Sequence, residues 1–439
     1  MIFEHPALRA SFVCLVAFAT AMPVWAGSWS TPVVLANNAY SGSIALDSAG
    51  NMVAVWNLDT PSVNEIEAST AAFGHPWSAP VNVSGALATG AGNPSVHSSA
   101  SGNATAVYTN SGSLFADHPH GGNWGTPGNT NGVNQFFVGN DNGDQGLAWG
   151  TGGARPTSST VVAVHRPAGS SWSAAATIAA APHLAFDGAT MGPDGTMAVA
   201  WESFDSTCGE RTCKTSNWRL HVSTLAHGSQ SWVDSGVLLG PDATQHFSQL
   251  AADGVADLGV IALSGANIVS LVRHGSAWTA PAVVASTSAV SFYTGTGRDN
   301  RVFASDFNGH ATLVSWGPGL FSLVAVDGNL TTNTWGKVTT ISGSDQNPGY
   351  FDYAMSESGT AIVFWWISAG TGGTTTWRAA TRSGPGVAWN APATVGTSFD
   401  AGGNPESVAV NSAGQAAVVF HGYSSDFLTY IEYTNTYQP

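Results

Sequence analysis

The sequence predicts an all-β chain folded as a β-propeller of eight four-stranded blades. Three observations lead there: a surface almost free of charge, a tryptophan that returns about every fifty residues, and a turn glycine that keeps step with it.

Of 439 residues, 43% are hydrophobic and only 9% are charged. A charge-rich disordered chain is excluded, because such chains stay open through weak hydrophobicity and high net charge. Mainly helical architectures are excluded too. Helices dress their wet faces with Lys, Glu and Arg, and this chain has 12 Lys+Arg in all. With 52 Gly and abundant Ser, Thr and Asn, the composition is that of many short strands joined by turns.

The repeat fixes the architecture. Trp29, Trp77, Trp124, Trp172, Trp232, Trp278, Trp335 and Trp389 recur in settings such as GSWSTP, HPWSAP and SAWTAP. A second landmark is a turn glycine followed by a short apolar strand, as in SAGNMVAVW, PDGTMAVAW and ESGTAIVFW. These glycines are Gly50, Gly102, Gly143, Gly195, Gly254, Gly309, Gly359 and Gly414, each placed for a tight hairpin that needs a positive φ. Alternating runs such as SIALD before the glycine and IEAST after it complete the unit, and runs this short bounded by Gly and Ser are strands. Four strands in each unit of this length mark a propeller blade. A seven-bladed ring is the alternative if the irregular unit from Trp232 to Val272 pairs differently. The strand from Trp29 to Leu35 has no blade before it, and the last unit, residues 405–435, lacks a fourth strand. Joining them closes the ring and removes its open edges.

Residues 1–26 read as a secretory signal peptide: Arg9, an apolar run from Ser11 to Met22, then Val24 and Ala26 at the cleavage positions. Residues 27–439 read as one propeller domain, secreted or periplasmic. No later segment is long and apolar enough to span a bilayer. The remaining cysteines, Cys208 and Cys213, are expected to form a disulfide across a surface loop, since no second cysteine pair exists to complete a zinc site. A formal charge of −15 without a basic cluster argues against nucleic acid as a partner.

In its tryptophan repeats the chain resembles secreted bacterial β-propellers, in the broad neighbourhood of sialidase-like and lectin propellers. The resemblance is architectural. The sialidase Asp box has its nearest match at Asp47-Ser48-Ala49-Gly50, with different spacing and no Trp at the required offset, and the arginines stand singly. The resemblance therefore implies a scaffold and no particular chemistry.

Candidate functional residues follow from that scaffold. The Trp29 series is read as packing, because identical placement in every unit suits wedges between blades. The strand-end aromatics Trp56, Trp201, Trp365 and Trp366 are read as ligand contacts, with Glu202, His421 and the loop residues Tyr40, Tyr293, Tyr350 and Phe399. A flat ring with a polar edge suits the face of a sugar. The expected activity is carbohydrate binding without catalysis. The alternatives are a glycoside-cleaving enzyme, its acids among Glu202, Asp205, Asp299, Asp306 and Asp400, and a protein-binding scaffold using loops 202–218 and 285–310. No cofactor is implied and no catalytic set is visible. Asp117-His118-Pro119-His120 and Asn140-Asp141-Asn142-Gly143-Asp144 have ligand-type side chains, but the first reads as a solvated bend and the second lacks the distal acid of a calcium loop.

Overall fold

The computed structural model describes residues 27–60, 63–85, 90–110, 112–130, 132, 136–151, 159–208, 213–254, 257–292, 302–343, 345, 347–367, 373–399, 407–423 and 429–439. Eight antiparallel four-stranded units follow one another along the chain. Blades one to seven comprise residues 39–82, 92–129, 136–181, 184–242, 249–286, 303–340 and 351–399. Blade eight takes its inner three strands from residues 407–438 and its outer strand from the N-terminal side, where Ser28–Trp29 and Val33–Asn37 pair with Tyr430–Gln438. The ring thus closes between its termini, as the orphan strands require. The irregular fifth unit forms its own blade, so the count is eight.

The turn between the first two strands of each blade shows how the sequence sets this geometry. Seven of the eight landmark glycines have positive φ, from 80° to 90°. Gly254 does not, and in blade five the hairpin runs from Asp253 to Asp257. Three residues before the glycine, a polar side chain often caps the turn. Asp47 Oδ1 accepts the Ala49 and Asn51 amides, Asp306 Oδ1 those of Asn308 and His310, and Asn411 Oδ1 those of Ala413 and Gln415. Such Asx turns fix the hairpin locally, before any blade meets another.

Blade-to-blade packing then makes the ring. The Trp29 series is half-buried or buried, and its members rest against the apolar clusters between blades: Trp77 on the cluster around Met52 and Trp56, Trp124 on the one around Tyr108, Trp278 on the one around Val260. The innermost strands are sheet edges, and side chains from the preceding blade satisfy their free amides. Ser407 accepts from Ile44, Ser43 from Val96, Asp187 from Ser248 and Asp352 from Val408. Between blades two and three, Arg166 forms two bonds of 2.8 Å to Asp117 and reaches Thr105; between six and seven, Arg382 joins Asp327 and Thr312 in the same way. Asp117 of the Asp117-His118-Pro119-His120 stretch is therefore part of an inter-blade clamp.

A meander of this kind gives the ring two faces. One carries the glycine turns, and the other carries the hairpins between second and third strands together with the crossings between blades. Around the axis the inner strands enclose a channel of about 260 Å³, lined from all eight blades. At its turn-face end Asp141 of blade three and Glu357 of blade seven, which stand opposite each other in the ring, hydrogen-bond across the axis. Burial, then the hydrogen bond and charge of Asp141, push Glu357 up to about 8.

Candidate functional site

Second strands run further than their apolar cores suggest, and this decides the fate of the tryptophans. Trp56 lies mid-strand in Asn51–Thr60 and Trp201 mid-strand in Met197–Cys208. Trp56 and Trp365 are fully buried, and Trp201 nearly so. The Trp56 indole donates to Glu67 Oε2 (3.1 Å), and that of Trp201 donates to Ser223 Oγ (3.0 Å) while its ring stacks on His221 at 4.0 Å. The structure therefore sets these three rings inside blades, away from any ligand at the mouth. Trp366, one residue on, keeps partial exposure and lies against Gly349, where an added Cβ would meet the indole. Neighbouring Tyr350 is 41% exposed and meets Trp316 edge-on at 6.2 Å.

An aromatic group on the loop face lies where blade eight meets blade one. Tyr40 opens the inner strand of blade one. His421 and Tyr423 end the second strand of blade eight, and Tyr430 begins its third. Tyr430 is the hub, with ring centres 4.5 Å from Tyr423, 6.0 Å from Tyr40 and 6.1 Å from His421. The Tyr423 and Tyr430 hydroxyls hydrogen-bond at 2.7 Å. Tyr430 is 40% exposed and the other three are half-buried. Burial, then the charge of Asp59 and the presence of Tyr430, raise the Tyr40 phenol, so it stays a neutral donor. Three phenols and an imidazole thus offer ring faces and hydroxyls in one patch. The sequence reading named Tyr40 and His421 but missed Tyr423 and Tyr430, whose signals were the aromatics of the FHGY and LTYIEY runs.

Across the ring, blade four carries an acid pair. Asp187 sits at a bulge of the inner strand and Glu202 on the adjacent strand, and the two carboxyl groups hydrogen-bond. Glu202 accepts the amides of His246 (3.1 Å to each oxygen) and Phe247 (3.0 Å), while Asp187 accepts the Ser248 amide and hydroxyl. Burial, then the charge of Asp187, push Glu202 up to about 10, and burial raises Asp187 as well. The pair holds a proton at neutral pH and ties blade four to the segment entering blade five.

The remaining candidates lie apart. Asp205 is exposed beside Asn217 and Arg219, on a long hairpin that the Cys208–Cys213 disulfide closes as expected. Asp306 caps a turn on the opposite face. Tyr293, Asp299 and Asp400 lie outside the described residues, as do the side chain of Phe399 and residues 1–26, which the sequence reading took for a signal peptide. Among the described residues no group of three His, Cys, Asp or Glu is placed to hold a metal, and no helix is long and apolar enough to cross a membrane.

No family model matches the sequence, and no curated protein matches it. Solved structures match through their architecture. A prolyl endopeptidase aligns at a TM-score of 0.49 and 10% identity over 93% of this chain, which spans 54% of that longer one. A fucose-specific lectin from Aleuria aurantia aligns at 0.38 and 13% identity, over 85% of this chain and all of that one. A leech intramolecular trans-sialidase aligns at 0.36 and 12% identity, over 77% and 66% of the two chains. The strand pairing by itself makes the chain an all-β, eight-bladed propeller.

Proposed function

We propose that this is an exported, non-catalytic carbohydrate-binding protein whose primary contact surface is the patch formed by Tyr40, His421, Tyr423 and Tyr430. The observation that carries the reading is this patch: clustered tyrosines on a rigid ring, ring faces and hydroxyls together, at the edge of the loop face. Rings of this kind stack on the C–H face of a sugar while their hydroxyls bond its hydroxyls. Tyr350, just before blade seven, and Trp366 within it extend the same face. The disulfide fits an oxidising compartment, in keeping with the reading of residues 1–26 as an export signal.

The acid pair of blade four does not have the geometry of a glycosidase pair. Two carboxylates that cleave a glycosidic bond stand about 5 to 9.5 Å apart, one on each side of it. Asp187 and Glu202 bond each other instead, and backbone amides occupy Glu202.

A glycan array probed with the folded protein tests the proposal. Binding above background is expected, with a loss of about tenfold or more in affinity for Tyr430→Ala, a hub residue of the kind that dominates interfaces. No glycan bound, or binding indifferent to Tyr430→Ala and Tyr423→Ala, overturns it.

A further inference from the structure

A second cavity lies on the outer wall, at the same blade junction but towards the turn face. It measures about 600 Å³, within the range of small-ligand sites. One wall is the closing strand of blade eight, where Val33 and Val34 are about half exposed; the other is the turn before the outer strand of blade one, with Pro76, Trp77 and Pro80.

Comparison with the other junctions shows what is unusual here. The same groove recurs between blades six and seven, at about 370 Å³, and between three and four, nearly closed at about 10 Å³. The first of these holds the Arg382–Asp327 pair, and the second is lined by Arg166, His227 and Asp144. In register terms, the position of Arg382 and Arg166 falls in blade one on Ala71, opposite Met52. The position of Asp327 and Asp117 falls in blade eight on Thr436, opposite Ala417. No ion pair crosses the groove at the ring closure, and no Asp, Glu, Lys or Arg lines it. Its polar lining is mostly hydroxyl and amide: Ser69 bonds Ser78 on one wall, Asn435 and Thr436 bond Ser30 on the other, and the His75 imidazole stands in the turn beside Trp77.

We infer that the groove between blades eight and one is a second binding site, for a neutral hexopyranose, with the Trp77 indole as its stacking face. A half-buried indole flanked by prolines and valines presents a flat apolar wall. Around it stand hydroxyl, amide and imidazole donors and acceptors suited to sugar hydroxyls, with no carboxylate, ammonium or guanidinium to favour a charged ligand. The inference extends the carbohydrate reading of the protein to a site that shares no residue with the tyrosine patch.

Saturation-transfer NMR with a panel of methyl hexopyranosides separates the two. Wild type, Tyr430→Ala, and the groove variants Val34→Arg and Pro80→Arg are compared, with folding checked by circular dichroism. The two groove substitutions lie on opposite walls at exposed positions, so at least one is expected to fold. At least one hexoside signal is expected to survive Tyr430→Ala and to fall about fivefold or more in the groove variants, because a guanidinium fills the cavity and adds charge. Signals lost only in Tyr430→Ala would overturn the groove and leave the tyrosine patch standing. Signals unchanged by both groove variants would likewise exclude it. No signal from any hexoside would overturn the groove as a hexose site, while the glycan array still decides the loop-face reading.

Discussion

Glu202 illustrates how one residue can look functional in a sequence and prove to be bound up in the scaffold. It follows an aromatic at the mouth side of blade four, where a lone acid invites an active-site reading. In three dimensions its carboxyl group is enclosed, faces Asp187 and receives amides from the next blade. Its folded pKa, about 10, lies far above its ordinary value of 4.5. The folded state therefore holds a proton that the unfolded chain releases, so this group's contribution favours folding less and less as pH rises from about 4.5 to about 10. Glu202→Gln keeps a donor towards Asp187 and removes the ionisation. The melting temperature of the variant relative to wild type is expected to climb steadily between pH 5 and pH 9. Parallel thermal curves across that range would show that the pair does not share a proton.

At the scale of elements, blades are self-specifying and their joints are not. The Asx turn, the positive-φ glycine and the alternating apolar strand all lie within a few residues of one another, so each hairpin was legible in the sequence. The clamp of Arg382 on Asp327 and Thr312 joins residues 55 and 70 positions apart. Nothing in their local surroundings announced it. Arg382 is fully buried, with its guanidinium 4.8 Å from the Trp389 ring centre. Arg382→Ala is expected to cost about 2 kcal/mol or more in urea unfolding, since it leaves a cavity and strips Asp327 and Thr312 of a partner. Arg219→Ala, at an exposed pair of 3.6 Å, is expected to change stability by about 0.5 kcal/mol or less. Equal losses at the two sites would refute the distinction.

For the whole molecule, closure is the decisive event. The N-terminal strands supply the outer edge of blade eight, and Asn435 bonds the Ser30 carbonyl across the seam at 2.9 Å. Deleting residues 27–37 is expected to expose the Tyr430–Gln438 edge and convert the protein into self-associating species, read by light scattering. A deletion variant that stays monodisperse with an unchanged melting temperature would contradict closure by these strands. At the turn-face end of the channel, Glu357 faces Asp141 across the axis. Its raised pKa of about 8 means that stability falls as pH climbs from about 4.5 to about 8 and levels off beyond it. Glu357→Gln is expected to reduce that slope, as a series of melting curves at constant ionic strength will reveal. An identical slope in the variant would contradict that contact.

Strand order, closure by the N-terminal strand and the Cys208–Cys213 disulfide were determined by the sequence itself, because they rest on local periodicity, a count of orphan strands and a lone cysteine pair, whereas eight blades rather than seven followed from the pairing of the fifth unit. The tertiary structure alone decided which side chains are available. Whether Trp56 faces solvent or core depends on how far its strand continues and where the next blade packs. Likewise, Tyr40 and Tyr430 stand nearly four hundred residues apart in sequence and 6.0 Å apart in the ring only because the two ends of the chain share one blade.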